Sequence, residues 1–107
     1  MRASTPTIRI WLGLTVLSLA STAALAAPPA GRLLAAQCAQ CHGTNGNGPG
    51  FDELAGKAST ELYHELIEMK YRTRVEGIMD RQARGYTDAQ LRAIADYLSA
   101  QPGSGDD

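Results

Sequence analysis

The sequence predicts an all-α domain, and three observations lead to that prediction. Apolar residues recur at helical spacing in three separate segments, which is the pattern of one buried face on a helix. No stretch alternates apolar and polar residues over the length of a strand. The segment 43–56, between the first two helical patterns, is rich in glycine and is predicted to be a loop.

The first predicted helix covers residues 31–41. Leu34, Cys38 and Cys41 follow one another at i, i+4 and i+7, so all three lie on one face. The chain has two cysteines in total, and this face therefore carries both of them.

The second predicted helix covers residues 59–71. Ser59 and Thr60 are good N-cap residues, because a hydroxyl oxygen can accept a hydrogen bond from the free N–H groups of a first helical turn. His64 does not belong to the apolar face and is predicted to be exposed. That apolar face consists of Leu62, Leu66 and Met69.

The third predicted helix is the best defined. Thr87 and Gln90 have the spacing of a capping box, in which each side chain bonds the backbone N–H group of the other residue. Pro102 cannot continue a helix, so the helix is expected to end before it. The buried face is predicted to consist of Leu91, Ile94, Ala95 and Leu98.

The N-terminal segment has the order of a secretory signal peptide, with basic residues, an apolar run and a small-residue cleavage site. Arg2 and Arg9 precede the apolar run 10–20, and cleavage is expected after Ala26. The run is only about half of the roughly 20 residues that span a membrane. We therefore expect export to the periplasm without stable membrane insertion. The expected boundaries are a signal peptide at 1–26, a mature domain at 27–102 and a flexible tail at 103–107.

Length and charge limit what the mature chain can be. Removal of the first 26 of the 107 residues would leave 81, which is a marginal size for a self-sufficient apolar core. Eight basic residues would then face 11 acidic ones, which argues against nucleic acid as a partner. Domains of this size usually gain stability from a metal, a disulfide or a cofactor. We therefore expect a group beyond the side chains to hold the fold together.

The chemistry is expected at the end of the first helix, in Cys38-Ala39-Gln40-Cys41-His42. Two cysteines at i and i+3 share one helix face, so both thiols can reach neighbouring vinyl groups of one porphyrin. His42 follows directly and can turn its imidazole toward the iron. The motif predicts one covalently attached haem c, with Cys38 and Cys41 as anchors and His42 as an iron ligand.

Two other uses of the motif compete with haem. A disulfide between Cys38 and Cys41 suits an oxidising compartment, but it gives His42 no task. Zinc would need two histidines beside the two cysteines, and His42 is adjacent to a cysteine ligand, which is a poor start for a tetrahedral site with His64. Haem is the use that employs all three residues of the motif.

A second iron ligand is expected from one of three side chains. Met79 lies in the segment 75–80, which is predicted to be non-helical and able to lay a thioether over the second haem face. Met69 belongs to the apolar face of the second helix, where a methionine more often packs in the core. His64 is predicted to be exposed. Met79 is therefore the preferred ligand, and a His/Met pair suits an electron carrier because it raises the reduction potential.

These features together resemble the class I cytochromes c. The order is that of the family: a helix with CxxCH, a glycine-rich loop, a middle helix, a methionine in a loop and a C-terminal helix that crosses the first. The resemblance implies a small fold of three main helices and loops wrapped around one haem, with Leu34 at the crossing. The run from Met79 to Asp88, together with Tyr97, is similar to the cytochrome subunit of flavocytochrome c sulfide dehydrogenase.

Two positions depart from the family pattern. Asp52 and Val75 stand where relatives usually carry proline. In the family a loop carbonyl commonly fixes the axial histidine through its second ring nitrogen. The resemblance therefore leaves open which group is the partner of His42 in this chain.

The resemblance implies a carrier of single electrons, acting as the haem subunit that accepts electrons from a sulfide-oxidising flavoprotein. Such a chain is not an enzyme by itself. Two alternatives remain at this level: a free-standing soluble electron shuttle, and a haem enzyme or gas sensor with an open iron site. Basic residues on both sides of Met79 are candidates for a collar around the haem propionates or for docking an acidic partner. They are Lys70, Arg72, Arg74, Arg81 and Arg84.

Overall fold

The structure is a computed structural model that describes residues 2–5 and 29–104. This part of the chain contains helices and no strand, so the predicted all-α class is confirmed. Apart from positions 2–5 and 103–104, the predicted signal peptide and the tail lie outside the described residues. The helices are α1 (Ala30–Ala35), α2 (Ala39–His42), α3 (Ser59–Tyr71), α4 (Ile78–Arg84) and α5 (Asp88–Ser99), with 3₁₀ turns at Ala36–Cys38 and Thr44–Gly46.

The first predicted helix is a helical path with a tightened middle turn. α1, the 3₁₀ turn and α2 follow one another without a break, and Ala36 and Cys38 at the junctions keep right-handed helical angles. The path ends at Gly43, whose φ of 78° is left-handed. The motif thus lies in the last turns of a helical segment, as its spacing predicts.

α1 crosses α5, as the resemblance implies. Gly31 lies at the crossing, where a Cβ atom would overlap the Ala93 carbonyl oxygen and lie 2.6 Å from the Tyr97 Cβ atom. Only glycine therefore lets the two backbones come this close. Leu34 packs against the buried core beside this point, and its carbonyl accepts a 3.2 Å hydrogen bond from the Tyr86 hydroxyl.

α5 agrees with its prediction in detail. The Gln90 N–H group donates to the Thr87 Oγ1 atom at 3.1 Å, and the Thr87 N–H group donates to the Gln90 Oε1 atom at 2.9 Å, so the capping box is present. Each residue of the predicted apolar face is at most 2% exposed. α5 is the central helix of the core, since both α1 and α3 pack on it.

α3 has the predicted bounds but not the predicted N-cap. The N-cap residue is Ala58, which offers no side-chain bond, so the capping role predicted for Ser59 and Thr60 is wrong. The Ser59 hydroxyl donates to the Asp96 carboxylate of α5 instead. The hydroxyl that was predicted to cap α3 therefore forms a hydrogen bond between two helices instead.

α4 is an element that the sequence analysis missed. The non-helical assignment of segment 75–80 is confirmed for residues 75–77 and wrong for residues 78–80, because a seven-residue helix begins at Ile78. The buried residues of this helix are Asp80 and Ala83, so no apolar period reveals it. Met79 therefore lies in the first turn of a helix rather than in a loop, and α4 packs on α3.

The buried core is small, and several large apolar side chains are exposed to solvent. The core cluster is formed by Ala35, Leu62 and the four buried residues of α5. No helix in the described ranges is long and apolar enough to cross a membrane. Among the residues that the structure describes, four large apolar side chains have exposures of 61–73%. They are Leu33, Phe51, Tyr71 and Ile78.

Candidate cofactor site

The two cysteines lie close together on the helical segment that ends at Gly43. Both are free thiols, so the disulfide alternative does not describe this structure. Cys38 packs against the core and Cys41 is exposed. Burial raises the pKa of the Cys38 thiol above its ordinary value, although a backbone hydrogen bond opposes the shift. A partly buried thiol and an exposed one are therefore available for bonds to another group.

The imidazole of His42 is held by the backbone. Its Nδ1 atom lies 2.7 Å from the Asp52 carbonyl oxygen. A carbonyl oxygen only accepts, so this contact assigns a proton to Nδ1, and in the neutral ring the lone pair is then on Nε2. Metal-bound histidines usually donate their other N–H group to such an oxygen, which fixes the ring orientation. The ring is thus set to bind a metal through Nε2.

Backbone geometry also brings the Asp52 carbonyl to His42. The Gly48 N–H group donates to the His42 carbonyl at 2.7 Å, which folds the loop back on the motif. Gly43 starts the loop, and a Cβ atom there would overlap the Gly48 carbonyl oxygen. The departure at Asp52 therefore does not remove the partner of His42, because every residue supplies a carbonyl.

The donor set fits a covalently held haem. Within residues 2–5 and 29–104, no cluster of three or more His, Cys, Asp or Glu side chains could hold a metal ion, which argues against the zinc alternative. What remains is a pair of free thiols beside an imidazole with a free Nε2 atom. These are the groups that bind the vinyl carbons and the iron of haem c.

Exposed apolar side chains accompany both predicted iron ligands. The Phe51 ring lies tilted toward the His42 imidazole, with 6.1 Å between the ring centroids, and it is 67% exposed. Ile78, which directly precedes Met79, is 63% exposed. An apolar surface beside each ligand is the environment that the two faces of a porphyrin require.

The three candidates for the second iron ligand lie in different surroundings. Met79 is half-buried in the first turn of α4, and Met69 is half-buried on α3. His64 is exposed, as the sequence predicts. α4 packs on α3, and α2 packs on the turn that follows it, so different elements position Met79 and His42.

Several of the basic residues near Met79 are used within the fold. Lys70 pairs with Asp88 at 2.6 Å, and Arg84 donates to the Arg72 carbonyl oxygen. Arg81 instead lines an open groove of about 480 Å³ between α1 and α4. A basic site for haem propionates or for an acidic partner would therefore contain fewer than the five basic residues that the sequence suggests.

Sequence analysis missed Asp80, the buried carboxylate that directly follows Met79. It is 2% exposed. Its oxygens accept a 2.8 Å bond from the Glu76 N–H group and bonds of 3.3 and 3.4 Å from the Arg72 guanidinium. The Glu76 hydrogen bond and the Arg72 charge lower the pKa of Asp80 below its ordinary value, against the effect of burial. Glycine is accepted at an N-cap and acidic residues are favoured in the first helical turn, so Gly77 followed by Asp80 is a signal that could have revealed both α4 and this residue.

The comparison with family models identifies one match. The model described as "Cytochrome c" matches residues 29–101, a range that contains every helix of the described chain. Members of this family carry covalently bound haem c, and the Cys38–Cys41 spacing is that of a CxxCH motif.

Three curated relatives show detectable similarity. The chain is 36% identical over 69 residues to the cytochrome subunit of sulfide dehydrogenase from Chlorobaculum tepidum, covering 64% of this chain and 63% of the relative. It is 38% identical over 64 residues to cytochrome c-552 from Acidithiobacillus ferridurans, covering 59% and 28%. It is 35% identical over 92 residues to cytochrome c4 from Pseudomonas aeruginosa, covering 84% and 44%. The match thus spans less than two thirds of the length of each relative.

Proposed function

The chain belongs to the cytochrome c family, with haem c as its cofactor, and on that premise we propose that it is a periplasmic carrier of single electrons. The observation that carries the proposal is the His42 imidazole. Its Nδ1 hydrogen bond to the Asp52 carbonyl leaves Nε2 free, beside two free thiols. The haem supplies one-electron chemistry, because its iron gains and loses one electron at a time.

Four residues are proposed to hold the cofactor. The thiols of Cys38 and Cys41 would hold the haem through two thioether bonds, whose formation from a thiol and a vinyl group needs no oxidant. His42 would hold the iron through Nε2, and Met79 would hold it through the thioether sulfur.

Met79 is favoured over the other two candidates by its surroundings. The segment 72–77 that leads to it contains no buried residue, and the neighbouring Ile78 is 63% exposed, so a porphyrin face can approach the thioether without disrupting the core. Met69 lies inside the 13-residue helix α3, so its backbone cannot shift toward another group without disturbing that helix, and His64 is exposed. A bound Met79 sulfur would close the iron to substrates, which favours electron transfer over a haem enzyme or gas sensor.

The proposed electron donor is a flavoprotein that oxidises sulfide. The similarity to the cytochrome subunit of sulfide dehydrogenase supports this partner. Oxidation of sulfide to sulfur releases two electrons, which a flavin can hold, whereas one haem iron accepts them singly. The exposed side chain of Ile78 and the basic Arg81 are proposed to meet that partner, with charge setting mainly the association rate.

A free-standing electron shuttle is the second candidate. It is supported by the similarity to cytochrome c-552 and cytochrome c4, whose names specify no flavoprotein partner. In this role the same exposed surface would serve several partners in turn.

Expression in an exporting, haem-attaching host tests the site. Denaturing electrophoresis with haem staining should show a stained band, and Cys38→Ala/Cys41→Ala should remove it. The sulfur-to-ferric-iron charge-transfer band should disappear in Met79→Ala and persist in Met69→Leu. Loss of the band in the Met69 variant alone would reassign the ligand.

Copurification from the native host tests the partner. Recovery of a stoichiometric flavoprotein, with sulfide-dependent reduction of the haem, would support the subunit role. A monomeric cytochrome that sulfide and a membrane-free extract cannot reduce would instead support the free shuttle.

A further inference from the structure

We propose that Arg72 and Asp80 form a clamp that positions Met79 as an iron ligand, an inference that rests on the ligand role proposed above. The clamp consists of the Arg72 guanidinium, the Asp80 carboxylate and the Glu76 N–H group that donates to that carboxylate. Met79 lies directly before Asp80 in the first turn of α4. Asp80 and Arg72 are therefore positioning residues, which act on the iron through Met79.

The burial of Asp80 requires the clamp. Its carboxylate is 2% exposed, and a buried charge is costly unless it is paired and hydrogen-bonded. One nitrogen of Arg72, Nη1, lies 3.3 and 3.4 Å from the two carboxylate oxygens and is shared with the Glu76 carboxylate at 3.1 Å, while the Glu76 N–H group donates to Asp80 at 2.8 Å. Loss of either donor would leave Asp80 short of partners and free the start of α4 to move.

Arg72 connects the two ends of α4 to the end of α3. It is the C-cap residue of α3, and its side chain reaches Asp80 in the first turn of α4. Its carbonyl accepts a bond from Arg84, the last residue of α4. Met79 thus lies in a short helix that is fastened at both ends to one residue.

Although α4 packs on α3, little apolar surface is buried at the end of α4 that carries Met79. The segment 72–77 has no buried side chain, and Ile78 is 63% exposed. Apart from the charged contacts, Ala83 is the one buried apolar residue of α4. A ligand site needs its groups held to within about 0.5 Å, and here charged hydrogen bonds are the interactions suited to that task.

The test compares two aspartate-to-asparagine variants of the haem-loaded protein. Asp80→Asn removes the charge of the clamp but keeps the size of the side chain. Asp88→Asn makes the same change in a carboxylate of α5 that bonds Lys70 and Tyr71 of α3 instead of Arg72. Both variants are titrated with imidazole in the ferric state, because imidazole competes with the thioether for iron.

Asp80→Asn should raise the apparent affinity for imidazole about tenfold, the change expected when one charged hydrogen bond that holds the ligand is lost. The sulfur-to-iron band should weaken, while haem staining stays unchanged because the cysteines are untouched. Asp88→Asn should leave the imidazole affinity at the parent value. Arg72→Gln should reproduce the effect and serves as the test if Asp80→Asn fails to fold.

Two results would overturn the clamp. One is an unchanged imidazole affinity in Asp80→Asn or, if that variant does not fold, in Arg72→Gln. The other is an equal rise in Asp88→Asn and in the clamp variant, which would mean that general destabilisation alone exposes the iron. The Met79→Ala variant distinguishes a wrong clamp from a wrong ligand assignment. If Met79→Ala keeps the sulfur-to-iron band, the ligand proposal is wrong.

If Met79→Ala loses the band while the clamp variants behave like the parent, only the clamp is wrong.

Discussion

The two sides of the candidate site are held by different interactions. The histidine side, residues 38–56, is built by backbone: the Asp52 carbonyl accepts from His42, and Gly48 donates to the His42 carbonyl. The methionine side, residues 72–84, is built by charged side chains around Asp80. The first therefore depends on where the chain can turn, and the second on which side chains it carries.

This difference predicts which substitutions each side tolerates. On the histidine side Asp52 replaces a family proline without loss of the carbonyl, because the bond does not depend on the side chain. The histidine side does not tolerate another residue at position 43, because the φ of 78° and the close contact with Gly48 exclude a Cβ atom at Gly43. On the methionine side a Cβ atom at Gly77 would meet nothing within 4 Å, whereas Asp80 is buried and fully engaged.

The largest expected effect comes from the same glycine substitution on the two sides. Gly43→Ala should lower the free energy of unfolding by at least about 2 kcal/mol, because a left-handed backbone alone costs an alanine roughly 1–2 kcal/mol and the overlap with Gly48 adds to it. Gly77→Ala should lower it by about 1 kcal/mol or less, since the added methyl group meets open space and only the preference for glycine over alanine at the N-cap of α4 is lost. Denaturant unfolding of the haem-loaded variants measures both. Equal losses would remove the distinction between the two sides.

Amide hydrogen exchange tests whether the clamp acts locally. In Asp80→Asn the Glu76 N–H group should exchange about tenfold faster, because it loses a charged acceptor. The Gly48 N–H group donates to the His42 carbonyl and should keep its parent rate. Faster exchange at both amides would show that the two sides open together.

A smaller effect is expected where the histidine side is tied to α5. The Tyr97 hydroxyl donates to the Asn45 side chain at 2.6 Å, which anchors the loop that follows His42. Tyr97→Phe should lower the free energy of unfolding by about 1 kcal/mol, the usual net value of one hydrogen bond. Tyr63→Phe is the matched control, because that ring packs against Arg92 and keeps its contact. An equal loss in both variants would mean that the hydroxyl bond contributes nothing of its own.

The smallest effect is expected at the contact between α3 and α5, outside both sides. Hydrogen bonds from Lys70, which has the larger effect, and from Tyr71 lower the pKa of the Asp88 carboxyl below its ordinary value of 3.8. A lowered folded pKa stabilises the fold above the ordinary value, and this stabilisation is lost as pH falls through the folded pKa. Asp88→Asn should therefore flatten the acid dependence of stability below about pH 4 and leave it unchanged between pH 5 and 8. The free energy of unfolding is measured with denaturant at a series of pH values. If it falls below about pH 4 as steeply in Asp88→Asn as in the parent, this prediction is contradicted.

The raised pKa of Lys70 gives a matching prediction at high pH. The Asp88 hydrogen bond raises it above the ordinary 10.5. Its contribution is complete below the ordinary value and is lost as pH rises through the folded pKa. Lys70→Met should remove that alkaline loss, and persistence of the loss would assign it to another group.

Features set by neighbouring residues were predictable from the sequence. The capping box of Thr87 and Gln90 spans three positions, and the buried face of α5 repeats within one helix. The motif of Cys38, Cys41 and His42 is equally local, and its residue types and spacing alone indicate haem c. These features are predictable because the interactions involved join residues within one or two helical turns.

The tertiary structure decided the rest, for two physical reasons. The hydrogen bond between His42 and Asp52 uses a backbone carbonyl, which every residue has. The residue type at position 52 therefore does not indicate this bond. Asp80, Arg72 and Met79 acquire their relation only when the end of α3 and the start of α4 meet. The sequence by itself determined which atoms could hold a haem, and the packing of the helices decided which backbone and charged groups hold those atoms in place.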